Sequence, residues 1–332
     1  MSNVVSIYRA EKIVVIAILF TTALFLWFDI SFRDPVTLYL NQIKFSFALY
    51  PFALFIAYII AVVRSGIAAR KAGHKVQESQ IFARFRSEYL NWSRLIRDFR
   101  LINVILLVFV VFANLKHLVP LINSNIYDQQ LYEIEKVVFG RSLTEILLQL
   151  FGSSAASFFS GIYTAYYPFM TLTAFFLIMQ RERDLAPEFT TAFGLMWFLG
   201  ILMVYLYPTW GPCFYAPQLL TGVPVTSASE VQAELWKLKL YLEQNPKSPT
   251  GLFLISGLPS LHQALTILAS YYVFRVSRFL GYLCWVFCGL TLFSTVYLGW
   301  HWVLDNVTAV PLVLISIAVA RWKSKPTESI SA

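Results

Sequence analysis

The chain has 332 residues, 58% apolar, 17% aromatic and only 13% charged, and a formal net charge of +8. Soluble domains carry about 25% charged residues, and a globule of this size has too little interior to hide so much apolar surface. Disorder is excluded by the same numbers, a disulfide scaffold by a count of three cysteines, and what remains is an all-α polytopic membrane protein.

A spanning helix needs roughly 20 apolar residues. Eight stretches qualify, at approximately 13–30, 45–63, 101–119, 162–180, 189–207, 259–275, 279–299 and 303–320. The first follows Arg9 and Lys12. It is long and lacks a small-residue cleavage site, so it reads as a retained anchor rather than a signal peptide. Residues 64–100 are basic, with Ile81, Phe82, Phe85, Tyr89, Trp92, Leu95, Ile96 and Phe99 interleaved. That pattern suits a helix lying on the membrane surface, and equally a solvated basic loop. Residues 128–151 begin acidic and continue through Leu131, Ile134, Val138, Leu143, Ile146, Leu147 and Leu150, which predicts one amphipathic interfacial helix. Residues 208–258 form a long loop rich in Pro and Gly, with one helix predicted at about 228–244. Loops of this length are usually lids or binding loops. Cys284 and Cys288 sit one helical turn apart in an apolar run and read as packing residues.

Charge orients the chain. Eight crossings put both termini on one face. Arg9, Lys12, the basic residues of 64–100, Arg181, Arg183, Arg275, Arg278, Arg321, Lys323 and Lys325 share it. The opposite face holds Arg33, Lys44, Lys116, Lys136, Arg141, Lys237, Lys239 and Lys247. The basic excess makes the termini cytoplasmic. The positive charge is therefore a matter of topology, and no nucleic-acid partner is implied.

Two of the four histidines fall at span boundaries on the outer face. His262 closes Gly257-Leu258-Pro259-Ser260-Leu261-His262. Pro259 suits the first turn of a helix, Ser260 can cap it, and the open backbone amides there favour an anion. His301 lies in Gly299-Trp300-His301-Trp302-Val303-Leu304-Asp305, four residues before Asp305. On a helix that spacing puts both side chains on one face. A carboxylate accepting the imidazole N–H fixes the tautomer and raises the basicity of the other nitrogen, as a nucleophilic histidine requires. Asp305 is also costly at the start of a span unless it has a partner. The short turn at Arg275–Arg278 makes spans six and seven an antiparallel pair, so both histidines reach the outer end at similar depth. The bland alternative is a pair of interfacial anchors. Positive charge for a phosphate is available on that face from Lys116, His117, Lys136, Arg141, Lys237 and Lys239. Lys116 and His117 end the third span, where they serve either a site or as snorkelling anchors. Lys237 and Lys239 sit on the loop helix, from which they can close over a headgroup.

Pro259-Ser260-Leu261-His262 and Ser294…His301…Asp305 resemble the second and third signature motifs of the phosphatidic acid phosphatase type 2 superfamily, Pro-Ser-Gly-His and Ser-Arg-x5-His-x3-Asp. The spacings from Ser294 to His301 and on to Asp305 match. Leu261 stands for the family's glycine and Thr295 for its arginine. The first motif, Lys-x6-Arg-Pro, is absent; Tyr207-Pro208-Thr209-Trp210 occupies its place. These departures, with Tyr127-Asp128 through Phe139-Gly140, Tyr163 and Tyr167-Pro168, resemble the branch of inositol phosphorylceramide synthases. The resemblance implies a six-helix core at 101–320 carrying the loop 208–258. Residues 1–100, two helices and the basic segment, precede it, and a cytoplasmic tail at 321–332 follows. It also implies that His301 attacks phosphorus, Asp305 orients it, and His262 protonates the leaving oxygen and then activates the acceptor. Ser260 and Ser294 would serve the phosphoryl group, and Tyr207 and Trp210 would line the headgroup pocket with Lys116, His117 and Lys237. No cofactor and no metal is implied.

The leading expectation is thus a membrane phosphotransferase passing a phospho-headgroup from a phospholipid to a lipid alcohol at the outer face. Alternatives are a lipid phosphate or polyprenyl phosphate phosphatase using water, and, more distantly, a lipid transporter. The intact His262, His301 and Asp305 argue against a catalytically dead lipid-binding scaffold. Short loops and the lack of a retention or lipidation signal point to a bacterial inner membrane, with the site on the periplasmic side.

Overall fold

The computed structural model describes residues 8–72, 78–180, 184–245, 247–248 and 256–322. Lys75, Arg181, Arg183, Lys323 and Lys325, used above to orient the chain, lie outside the described residues, as does the tail beyond Trp322. The fold is all-α. In chain order come α1 (Arg9–Phe28), α2 (Pro35–Ala72), α3 (Glu78–Tyr89), α4 (Trp92–His117) and the single turn α5 (Val119–Ile122). α6 (Asp128–Phe139), α7 (Leu143–Phe151), α8 (Ala156–Ile178) and α9 (Leu185–Leu206) follow. Then come α10 (Pro212–Tyr215), α11 (Ser227–Gln244), α12 (Leu261–Val276), α13 (Arg278–Tyr297) and α14 (Val303–Arg321). Two short strands, β1 (Pro208–Thr209) and β2 (Ser256–Gly257), pair antiparallel and close the base of the long loop, with Pro208 opposite Gly257.

Six helices among the described residues are long and apolar enough to cross a membrane: Arg9–Phe28, Tyr50–Ile67 within α2, Ser153–Ile178, Leu185–Leu206, Arg278–Tyr297 and Val303–Arg321. The chain is a multi-pass membrane protein. The other two stretches read from the sequence, 101–119 and 259–275, coincide with α4 and α12. Outward faces carry Leu19, Leu26 and Trp27 on α1, Phe279, Tyr282 and Val286 on α13, and Leu314 and Ile315 on α14, all exposed. In water such a girth would aggregate; acyl chains solvate it.

α9 runs through the centre. Phe189, Ala192, Phe193, Met196, Trp197, Ile201 and Val204 are buried around it, packed by α1, α4, α8, α12 and α14. Small residues set the closest approaches. A Cβ on Gly200 would come 2.6 Å from Leu261 Cδ2 at the start of α12. α12 and α13 form an antiparallel hairpin about Ser277, whose Oγ accepts from Leu280 N at 3.4 Å and caps α13. A Cβ on Gly281 would lie 2.4 Å from Phe274 Cα, so the hairpin needs glycine there. The beginning of α12 and the end of α13 therefore share one end of the bundle.

The single amphipathic helix expected at 128–151 is two. Gly140 adopts φ 81° and ends α6, and the chain restarts from Ser142. The break lets both Glu135 and the α7 start turn inward: Glu135 Oε2 accepts from Ser142 Oγ (3.0 Å) and Leu143 N (2.9 Å). The basic segment 64–100 is likewise divided among the end of α2, α3 and the start of α4. The loop helix begins and ends within a residue of its predicted bounds, as α11.

Gly281→Val should pry α12 from α13 and lower stability by about 1–3 kcal/mol, the usual cost of overpacking a tight contact. Thermal unfolding of purified protein in detergent measures it, with Gly289→Val, where a Cβ meets nothing within 4 Å, as the neutral control.

Candidate active site

α12 starts with Ser260 as N-cap, its Oγ accepting from Gln263 N at 3.3 Å. Pro259 stands one residue before the cap, not in the first turn as expected. The reason is tertiary: Ser260 N donates to the carbonyl of Asp305 at 2.8 Å, which holds Ser260 in an extended conformation. His262 thus occupies the first turn of α12.

His301 lies in the turn between α13 and α14. The turn folds back on α13, with Trp300 N and His301 N both donating to Thr295 O (2.8 and 3.2 Å). Gly299 (φ 71°) allows it, and Gly299 O accepts from Cys213 N at 2.8 Å. Gly211 (φ 85°) lies so close that a Cβ there would meet Trp300 O at 2.4 Å. Asp305, fully buried in the first turn of α14, accepts at Oδ2 from Trp302 N (3.2 Å) and faces His301 Nδ1 at 3.1 Å. His301 Nε2 in turn lies 3.3 Å from His262 Nδ1. With Asp305 ionised it only accepts, so we assign the proton to His301 Nδ1, which leaves the lone pair on Nε2 and makes His262 Nδ1–H the donor toward it. The three residues that the sequence singled out meet in one chain.

Two buried acids on α6 hold this turn, and their part in it is not legible in the sequence. Asp128 Oδ1 accepts from Trp302 Nε1 and Gly211 N (both 2.8 Å) and its Oδ2 from Trp210 N (2.8 Å). Glu135 Oε1 accepts from Val303 N at 2.7 Å. Burial pushes both carboxyls above the usual carboxylate range, and the hydrogen bonds they accept oppose that push. Overhead, Gln232 of α11 donates to Leu298 O at 2.8 Å.

The histidine pair opens into a cavity of about 360 Å³. Phe109, Phe112, Met170, Trp197, Ile201 and Val204 line it, together with the polar side chains Arg33, Lys116, Tyr166, Tyr167, His262 and His301. Burial, and secondarily the nearby Lys116 ammonium, pushes the His301 imidazole down to about 3. The ring is then neutral at physiological pH. Among the described residues no cluster of three His, Cys, Asp or Glu could hold a metal ion.

The other expected site residues divide. Lys116 lines the cavity. Ser260 spends its hydroxyl on capping, and Ser294 Oγ donates to Phe159 O at 2.7 Å, tying α13 to α8. His117 is buried in the last turn of α4, outside the cavity lining. Tyr207 is half exposed and packs on Tyr127. The Trp210 ring faces Lys239 Nζ at 4.3 Å, and Lys237 pairs with Glu234 at 2.7 Å on the exposed side of α11. Arg33 and Tyr166 also line the cavity; the sequence shows only their charge and aromaticity, and neither spacing nor periodicity ties them to His262.

A family model described as the PAP2 superfamily matches residues 131–319, more than half of the chain. The chain belongs to the PAP2 superfamily. No curated protein and no solved structure matches it. His262, His301, Asp305 and Glu135 lie inside the matched stretch, whereas Arg33, Lys116 and Asp128 precede it. PAP2 membership in a protein with six helices of spanning length suggests a lipid phosphatase or phosphotransferase, with a lipid phosphate as substrate and the bilayer as its surroundings.

Asp128→Ala should leave Trp302 Nε1 and two backbone amides unpaired, costing several kcal/mol at about 1–3 kcal/mol per buried group; a fall in unfolding temperature much larger than for Lys237→Ala checks it. His301 should stay neutral as pH drops through 6.5, the ordinary histidine value, since its folded pKa is depressed. With only four histidines, nitrogen NMR of histidine-labelled protein reads this directly, the His301 signal being assigned by its loss in His301→Ala. Lys116→Gln should raise the titration midpoint; a ring titrating near 6.5 in both proteins would contradict the electrostatics.

Proposed function

We propose that the chain is an integral membrane phosphotransferase that moves a phospho-headgroup from a phospholipid to a lipid alcohol through a phosphohistidine on His301. The observation that carries this is the relay Asp305–His301–His262, with separations of 3.1 and 3.3 Å, opening into a cavity lined largely by apolar side chains.

His301 Nε2 presents a lone pair, and His262 Nδ1–H covers it. A phosphoryl group seated between the rings takes the place of that contact. Nε2 attacks phosphorus and an N–P bond forms as the P–O ester bond breaks. His262 gives its proton to the leaving lipid oxygen. In the second half the acceptor alcohol loses its proton to His262, its oxygen bonds phosphorus, and the N–P bond breaks. Asp305 stabilises the imidazolium character that His301 gains, and the neutral resting state of His301 supports its use as nucleophile. The chemistry needs positioning and electrostatics and runs without a metal. The apolar lining suits acyl chains, which keep the phosphate at the histidines.

The rest of the reading follows the sequence. Counting α4 and α12 as membrane-crossing gives eight spans, with both termini cytoplasmic and the histidines at the periplasmic side of a bacterial inner membrane. Residues 101–320 act as the catalytic core, 1–100 as an N-terminal addition and 321–332 as a tail. Ceramide or diacylglycerol is the class of acceptor. The loss of the family's first motif, shared with the inositol phosphorylceramide synthase branch, favours transfer over hydrolysis.

Protein in nanodiscs, supplied with phospholipids and lipid phosphates with or without ceramide or diacylglycerol, tests this. A new phospholipid that forms only with the alcohol supports transfer, and free phosphate from water alone assigns a phosphatase instead. His301→Ala should abolish turnover and His262→Ala should lower it about 100- to 10,000-fold. Acid-labile, alkali-stable phosphate on the protein should accumulate in a quenched reaction and vanish in His301→Ala. Undiminished activity in His301→Ala would sink the assignment.

A further inference from the structure

Two basic side chains, Arg33 and Lys116, line the cavity, and both come from outside the stretch that matches the family. Lys116 ends α4. Arg33 belongs to the link between α1 and α2, before the core expected at 101–320. Its backbone is fixed: Arg33 N donates to Asn114 Oδ1 at 2.9 Å, and Asn114 is itself buried on α4 and anchored by Nδ2 to Val110 O at 2.9 Å. Asn114 and Lys116 are two residues apart, so the same turn of α4 carries one cation and positions the other.

The Arg33 side chain is not satisfied. Nη1 is buried and has no hydrogen-bond partner among the described residues. A buried guanidinium donor without an acceptor costs free energy, and burial alone pulls the group below the ordinary arginine value. Other cations of this end are spoken for elsewhere. Lys136 pairs with Glu133 (3.3 Å), Arg141 donates to Gln149 (2.7 Å), and Lys239 pairs with Glu243 (2.5 Å) beneath Trp210 and Trp236. None of these three lines the cavity.

We infer that Arg33 is the phosphate-binding fork of this cavity, acting with Lys116 in place of the cations missing from the degenerate first motif. The inference rests on the reading that the His262–His301 end receives a phosphate-bearing group. A guanidinium offers parallel N–H donors that match two phosphoryl oxygens, while an ammonium supplies a point charge. Together they neutralise the one to two negative charges of a phosphate ester beside His301. The N-terminal helix pair is then part of the active site, and a core truncated before residue 101 lacks its main phosphate ligand.

The test uses full-length protein in nanodiscs of neutral lipid. Inorganic phosphate is titrated by calorimetry into wild type, Arg33→Gln and Arg33→Lys. In parallel, phosphatidic acid is added to the discs and KM and kcat are measured. Arg33→Gln should weaken phosphate binding, raise KM for the lipid phosphate, or both, by about 10- to 100-fold, as loss of charge-assisted hydrogen bonds predicts; kcat should fall less. Arg33→Lys should recover part of the loss. A change in lipid KM alone means the site accepts only the membrane-bound headgroup and still supports the inference. Because Nη1 has no protein partner, Arg33→Gln should melt no lower than wild type, an outcome that a purely structural arginine would not give. Equal phosphate affinity and equal KM in wild type and Arg33→Gln would overturn the inference, as would a wild type that binds neither ligand. Phosphate binding that depends on Arg33, without turnover of any lipid, would keep the anion site and remove the phosphotransferase reading.

Discussion

The bond between Asp305 and its surroundings is the constraint on which the site depends. A carboxylate at the start of an apolar helix must find donors, and Asp305 finds them in Trp302 N and His301 Nδ1. Its own carbonyl then takes Ser260 N. One buried residue thus joins the start of α14, the turn after α13 and the start of α12. The two histidines meet because their elements are tied at this point. Packing alone would bring the helix ends near one another, but it would not fix an imidazole to within a hydrogen bond of its neighbour.

Asp128 and Glu135 repeat the device one layer out. Both are buried acids that brace the segment around His301: Asp128 accepts from the Trp302 indole and from the Trp210 and Gly211 amides, and Glu135 from the Val303 amide. Trp300 is held too, stacked on Tyr163 at 4.9 Å between ring centroids. The long loop closes above, where α11 reaches Leu298 through Gln232 and rests Lys239 on two tryptophan rings. Low dielectric strengthens every one of these polar contacts and makes losing any of them expensive. Rigidity around the histidines coexists with a girth that is exposed and apolar. That division suits a site that must hold a charged headgroup while leaving its hydrocarbon in the membrane.

Legibility followed sequence distance. His301 and Asp305 were readable as a pair from their spacing, although His301 sits in the turn before α14 and not on the helix, so the turn and not a helix face brings them together; His262 was readable because a short turn forces α12 and α13 antiparallel. The Ser260 cap on α12 was readable from its place at a helix start, whereas the bond from Ser294 to α8 was not, because it depends on which helix packs beside α13. The break at Gly140 was hidden because an apolar stripe can continue in phase across a break between two helices. Arg33 was hidden most deeply, for no periodic pattern connects a loop after the first helix with the sixth span.

Composition was enough for the class, an all-α membrane protein, because it sets the solvent, and motif spacing was enough to mark the three residues that belong together. Which basic side chains reach the cavity, that Ser294 is held by α8 and which acids brace the turn emerged only from the packing. Those outcomes rest on burial and on hydrogen bonds between segments far apart in the chain, and such pairings exist only once the helices have packed.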